Sequence, residues 1–346
     1  MNHNDLELPM GKRTLLYRLF EILPAFLSYG MLILFIILSL INPLWASIYL
    51  LVLVMSVIVR SIGIAYRTLT GHHQLEKAQI VNWRQRLEQL EDPVASYAAI
   101  QQQPLPKRHQ REFHAQEHRE NLRLMAADPA SFPRPSQLYQ AVIVAAYNES
   151  YDVLQPTIES VKNTTYNNKQ IILVLAYEER GGVDIARTAA RLQQEYGDVF
   201  FTFQTIMHPK DMPDEVIGKG GNITYAGKQL QRYCDEQGIA YSDVMITTLD
   251  SDNRPYPSYF DYVAYEYIVH PERKRLSYQP IALYFGNIWD APAPMRVIAT
   301  GNSFWTIISS MRPHTLRNFA SHSQPMDALV EMNFWSTRSI VEDGHQ

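Results

Sequence analysis

The chain has 346 residues, enough for one large domain or two ordinary ones with ample core, and its 31 Lys and Arg against 35 Asp and Glu leave a net charge of −4. That balance, with no long basic stripe to offset it, excludes a nucleic-acid binder. The single cysteine, Cys234, excludes an internal disulfide framework and fits a reducing compartment.

A slightly negative mean hydropathy hides a sharp split along the chain. Residues 22–41 run without a charge, and residues 44–59 do the same before Arg60, with only Asn42-Pro43 between the two runs. The first run is long enough to cross a bilayer, and the second reaches that length if it continues to Tyr66 with Arg60 snorkelling. A secretory signal peptide has a shorter apolar core and is not followed at once by a second span. The pattern predicts a transmembrane helical hairpin over residues 22–66, with a buried soluble hairpin as the alternative. Lys12, Arg13 and Arg18 precede it, Arg60 and Arg67 lie at or beyond its end, and the connection is uncharged. By the positive-inside rule both ends are cytosolic, so residues 1–21 and everything after residue 67 face the cytosol of a multi-pass inner or plasma membrane protein.

Residues 67–137 read as a polar helical linker. Ile80, Trp83, Leu87 and Leu90 recur at helical spacing, a face that suits either the membrane surface or packing on the following domain. Gln101 to Lys107 interrupts the helical pattern, and the prolines between Asp128 and Pro135 mark an extended connection. The scattered histidines of this region fit solvated surface.

A new domain starts near residue 138 and runs to 346. Strands are expected over 139–146, 170–176, 199–206 and 244–249, with helices following through Leu154, Ile158 and Val161, then over 186–196 and 225–237. Strands alternating with helices predict an α/β domain with a mainly parallel central sheet covered on both faces. Functional loops then collect along the carboxyl edge.

Three stretches fall on that edge. Asp250-Ser251-Asp252 follows the last strand and sets two hard oxygen donors one residue apart, which suits Mg²⁺ or Mn²⁺ bridging a nucleotide's phosphates; an acidic turn closed by Pro255 is the plainer alternative. Gly218-Lys219-Gly220-Gly221-Asn222 offers backbone N–H groups, a helix amino terminus and a full positive charge to a diphosphate, or is a surface turn. It lacks the P-loop spacing, so triphosphate hydrolysis is not supported. Glu342-Asp343 near the end is a second acidic pair, fit for a general base or for a cap. Five tyrosines at 256, 259, 262, 265 and 267 read as core packing before a sugar-stacking wall.

Together these motifs resemble the family 2 glycosyltransferases, the membrane-associated inverting enzymes related to cellulose, chitin and hyaluronan synthases, over residues 138–346. Val144-Ala145-Ala146-Tyr147-Asn148-Glu149 is similar to the family's first-strand motif, with Ala in the usual place of Pro. The Gly218 to Asn222 stretch is similar to its nucleotide loop, Leu249-Asp250-Ser251-Asp252 to its D-x-D motif, and Val341-Glu342-Asp343 to its catalytic motif. Thr300-Gly301-Asn302-Ser303-Phe304 looks like the acceptor-side loop. The resemblance implies a GT-A type nucleotide-sugar-binding domain. It implies that Ala146, Tyr147, Glu149, Glu178, Lys219, Asp250 and Ser251 meet the nucleotide-sugar, that Asp250 and Asp252 serve the metal, and that Asp343, beside Glu342, deprotonates the acceptor. The expected donor is a UDP-sugar, the expected acceptor a polysaccharide or lipid-linked sugar, and membrane lipids are further partners.

Two departures accompany the resemblance. Where the family has an acidic turn after the second strand, this chain has Glu178-Glu179-Arg180-Gly181-Gly182, so Glu178 or Glu179 stands in for the base-reading acid. The sequence also stops three residues after Asp343 without the family's Q-x-x-R-W motif, which predicts a fragment of a longer protein. The competing reading is a catalytically silent nucleotide-sugar-binding regulator or scaffold of a synthase complex.

Overall fold

A computed structural model describes residues 14–102, 112–213, 215–286, 288–316, 318–319 and 321–338. The chain divides into two compact units, Met1–His72 and His73–Gln346.

In the first unit, α1 (Leu15–Ile41) opens on Thr14, whose hydroxyl accepts from the Tyr17 N–H at 3.2 Å. It ends at Asn42, whose side-chain oxygen accepts from Leu44 N–H and so caps the start of α2 (Pro43–Gln79). Tyr49 Oη donates to the Met31 carbonyl at 3.0 Å and its ring stacks on Phe35, so the two helices lie side by side as a hairpin. Over residues 22–41 of α1 and 44–59 of α2 the side chains are largely apolar on every face and mostly exposed, unlike those of a soluble surface helix. Both helices are long and apolar enough to cross a membrane.

The second unit begins with three helices, α3 (Trp83–Gln89), α4 (Pro93–Gln101) and α5 (Ala115–Ala127). Asn82 and Asp92 cap α3 and α4 with their side-chain oxygens. A five-stranded sheet follows, ordered β3-β2-β1-β4-β5. Its strands are β1 (Tyr139–Ala146), β2 (Ile171–Glu178), β3 (Thr202–His208), β4 (Val244–Asp250) and β5 (His322–Pro325). The first four are parallel and β5 pairs antiparallel with β4, which gives the mainly parallel α/β sheet the sequence predicts. Strand boundaries differ from the expected ones by three residues at most.

Three helices connect the parallel strands: α6 (Tyr151–Lys162), α7 (Gly182–Tyr196) and α8 (Lys219–Gln237). After β4 come α9 (Tyr259–Val269) and α10 (Ala293–Ser310), and α11 (Met326–Glu331) follows β5. Alternate strand residues pack on opposite faces, so each central strand reads as a continuous apolar run. Val142, Val144, Leu173, Leu175 and Leu249 meet α6, α7 and α9 on one face. Ala141, Ile143, Ile172, Val174 and Ile246 meet α8, α11 and Trp335 on the other. Of the helical face read from Ile80, Trp83, Leu87 and Leu90, the last three join the first of these cores while Ile80 is exposed, and Trp83 stacks on Tyr262 of α9 with ring centroids 3.9 Å apart.

The order of strands has one point of reversal. The chain steps outward from β1 through β2 to β3, then crosses back to place β4 on the other side of β1. That reversal opens a crevice beyond the carboxyl ends of β1 and β4.

Candidate active site

Ala145 of β1 stands in register with Asp250 of β4, so Ala146 and Tyr147 leave the sheet beside Asp250 and Ser251. Asp250 Oδ1 lies 2.7 Å from Lys219 Nζ, and both side chains are partly exposed. Lys219 reaches it from the first turn of α8. The sequence placed the helix start near Tyr225, but the run from Lys219 to Asn222 is already helical, with Gly218 at the cap. The start is held by Asn222, which is buried and donates to the Ala146 and Ala176 carbonyls at 3.2 and 2.9 Å. Those two bonds tie the ends of β1 and β2 to the helix that carries the lysine. The amino terminus of α8 adds partial positive charge beside the Lys219 ammonium.

The turn after β4 is held by three hydrogen bonds. Asn253 N–H donates to the Asp250 carbonyl, its amide donates to Ser321 Oγ at 2.6 Å, and Thr157 of α6 donates to the Ser251 carbonyl at 2.8 Å. Asp252 is exposed at this turn. Tyr284 faces the same place: burial first, and the Asp250 carboxylate second, hold its hydroxyl above the ordinary tyrosine range.

On the β1 side, the Glu149 carboxylate accepts from the Tyr147 N–H at 2.6 Å and fixes the turn that follows the strand. Tyr147 is exposed, and the Arg180 guanidinium lies 5.5 Å from its ring centroid. Arg180 also pairs with the buried Glu178 carboxylate. Gly181 explains how this loop fits. A Cβ there would sit 1.7 Å from the Tyr147 carbonyl oxygen, so only glycine lets the loop after β2 pass so close to the loop after β1. Sequence reading missed Arg180 and Gly181, although their place in the departing turn after the second strand was the signal.

The third edge loop runs from β3 to α8. His208 Nε2 lies 3.0 Å from Glu215 Oε2, packed against Gly221. Val216 N–H donates to the Thr337 carbonyl at 2.8 Å, and Thr224 donates to the Trp335 carbonyl at 3.0 Å. The chain therefore returns to the amino-terminal end of α8 just before residue 338.

The structure thus brings Ala146, Tyr147, Glu149, Glu178, Lys219, Asp250, Ser251 and Asp252 to one edge. Glu342 and Asp343 lie outside the described residues. The expected acceptor-side loop is corrected: Thr300, Gly301, Asn302, Ser303 and Phe304 all belong to α10, where Ser303 and Thr306 spend their hydroxyls on backbone groups of residues 282–284 and on their own helix. Of the five tyrosines, Tyr265 and Tyr267 are buried and Tyr259 and Tyr262 half-buried in the core, leaving only Tyr256 exposed.

Among the described residues there is no cluster of three or more His, Cys, Asp or Glu side chains. Two carboxylates nevertheless fit Mg²⁺ or Mn²⁺, which take one or two from protein and fill the other positions with phosphate oxygens and water. One Asp250 oxygen is engaged by Lys219, which leaves the exposed Asp252 with the more accessible carboxylate of the two.

Residues 141–206 match the family model described as Glycosyl transferase family 2. That stretch spans most of β1 through most of β3 and carries Ala146, Tyr147, Glu149 and Glu178; Lys219, Asp250 and Asp252 lie beyond it. Among solved structures, the chain is similar to one described as mannosyltransferase PcManGT from Pyrobaculum calidifontis in complex with GDP-Man and Mn²⁺, at 13% identity and a TM-score of 0.40, covering 78% of this chain and 61% of that one. A search of the curated proteins found no match.

Proposed function

We propose that this chain is a membrane-anchored, inverting, metal-dependent glycosyltransferase that moves a hexose from a nucleotide-sugar, in our reading a UDP-sugar, to a polysaccharide or lipid-linked acceptor. The observation that carries the proposal is the meeting of Lys219 and Asp250 at the crevice between β1 and β4, on a domain whose first three strands match the family 2 model. An anion-binding helix start and a carboxylate pair side by side suit a diphosphate and its cation.

In this reading Lys219 and the α8 amino terminus receive the diphosphate, Asp252 and Asp250 hold Mg²⁺ or Mn²⁺, and Asp250 also reaches the ribose. Tyr147, Glu149 and Glu178 form the nucleoside side of the crevice, with Arg180 and Ser251 shaping its walls. When bound, the cation neutralises charge that builds on the departing nucleoside diphosphate. Asp343 takes the proton from the acceptor hydroxyl as it attacks the anomeric carbon, and Glu342 neighbours it. Support for that role comes from the return of the chain to α8 at Thr337, six positions before Asp343. Six residues span at most about 20 Å even when fully extended, a separation compatible with the proposed role. Anchoring follows from the two apolar helices, α1 and α2, with the catalytic unit on the cytosolic side by the charge pattern.

The deciding experiment compares Asp252→Asn and Asp343→Asn in the full chain. Asp252→Asn is expected to lose metal-dependent donor binding and transfer together, and Asp343→Asn to lose transfer with donor binding intact. Full turnover by either variant rejects the role of that residue.

A further inference from the structure

Helix α10 has its polarity turned outward. At 100° per residue, Pro294, Val297, Ile298, Gly301, Phe304 and Trp305 fall within an arc of about 120°. As far as Trp305 that arc faces away from the protein, with Val297 74% and Trp305 65% exposed, while at the last turn Ile308, in the same arc, is buried. The opposite face is the polar one. There Ser303 accepts from the Tyr284 N–H at 2.9 Å, and Thr306 donates to the Ala282 carbonyl at 2.8 Å. A helix of a water-soluble surface does the reverse, since each exposed apolar side chain forfeits the free energy of leaving water.

We infer that this face of α10 docks on the lipid bilayer, lying in the headgroup region with Val297, Ile298, Phe304 and Trp305 in the acyl boundary. Three observations choose lipid over a protein partner. The chain carries two helices able to cross a membrane, so a bilayer is held near the domain at high effective concentration. The stripe continues into Trp289 and Phe285, both exposed, and indole and phenyl groups are the side chains that favour the membrane interface. Beside Trp289, the Arg296 guanidinium, which leaves α10 on the same face as Ser303, lies 5.2 Å from the indole ring and bonds to the Trp289 and Ala291 carbonyls, which puts a cation next to the aromatic end of the stripe. The polar face of α10 holds the loop of Tyr284, whose hydroxyl feels Asp250, so docking would set the height of the crevice above the lipid.

The inference rests on the membrane-anchored reading but not on sugar transfer. Its test is spin-label accessibility in the full chain reconstituted in lipid nanodiscs, with single cysteines replacing Val297 or Trp305. The native Cys234 is fully buried and its thiol is pushed up to about 11, so it stays unlabelled. Val52 on α2 and Asp184 on α7, both exposed, serve as lipid and water references. Labels at Val297 and Trp305 are expected to collide with oxygen several-fold more than with a water-soluble nickel chelate, as at Val52 and opposite to Asp184. Access of the nickel chelate at both α10 positions, with Val52 lipid-like, overturns the inference and leaves the anchoring intact. Exclusion of both reagents overturns it in favour of a second copy or another protein, and a water-like Val52 overturns the anchoring and the inference together.

Discussion

Lys219 and Asp250 face each other at 2.7 Å across the crevice, one from the first turn of a helix and the other from the last position of a strand. Since both are partly exposed, the pair itself adds only about 0–1 kcal/mol to stability. Lys219→Met is therefore expected to leave the melting temperature nearly unchanged. It should weaken nucleotide-sugar binding by about 10- to 100-fold, the size of a lost charge-assisted hydrogen bond. Titration calorimetry beside a thermal melt checks both halves, and an unchanged affinity removes the lysine from the site.

Chelation supplies a second check. With EDTA present, donor binding by the wild-type chain is expected to vanish, and Mg²⁺ or Mn²⁺ added in excess to restore it. Asp252→Asn should fail to recover donor binding when the metal is restored, because one hard oxygen donor is lost. Binding that ignores the metal in both proteins contradicts the assignment.

Gly181 supports a third. A methyl group there meets the Tyr147 carbonyl, which is backbone and has no rotamer to escape into. Gly181→Ala is expected to lower unfolding free energy by about 1–3 kcal/mol and to disturb the Tyr147 turn. Gly218→Ala is the control, since its Cβ would enter open space and its backbone is extended. Equal melting curves for the two variants would refute the close approach.

The fourth concerns pH. Burial pushes the Glu266 carboxyl up to about 7 from 4.5, against a hydrogen bond from Tyr262 and the charge of Arg86. Between those values the unfolded chain releases a proton that the folded chain keeps, so this group's contribution falls as pH rises through the window. Nearby His118 has the opposite sign. Burial, helped by Arg86, lowers it to about 4 from 6.5, and its ring nitrogens lie 2.9 Å from Tyr265 Oη and 2.7 Å from Gln89 Oε1. There the unfolded chain takes up a proton that the folded chain refuses, so stability is lost as pH falls. The two effects oppose each other between pH 4.5 and 6.5 and largely cancel. Glu266→Gln should unmask a loss of stability on acidification below about 6.5, and His118→Gln a loss on raising pH toward about 7. Thermal melts of the three proteins across this range measure it.

Much of this was legible in the sequence because the signals were strong and local. Long apolar runs mark both N-terminal helices and shorter ones mark β1 and β2, while β3 and β4 mix apolar residues with Thr and, in β3, Gln, and D-x-D at the end of β4 reads as an edge motif before any coordinates. The start of α8 was misjudged because three glycines in four residues argue for a loop, whereas Asn222 anchors that turn to β1 and β2 through bonds to distant carbonyls. Thr300 to Phe304 was misread as a loop for a similar reason, since Gly, Asn and Ser carry poor helix propensity that tertiary hydrogen bonds from Ser303 and Thr306 override. The departing turn after the second strand drew notice to the stretch that holds Arg180 but not to its role. That role depends on Tyr147 and Glu178 coming together from two strands.

The stack of Trp83 on Tyr262 sets a limit on how far this protein can be trimmed for study in water. A shortened chain starting at residue 138 would bare Tyr262 and Tyr265, strip His118 and Gln89 from the latter's hydroxyl network, and forfeit about 3–5 kcal/mol for the indole alone. Any lipid-free version of the catalytic unit has to begin before Ala78, whose carbonyl receives the Trp83 indole N–H.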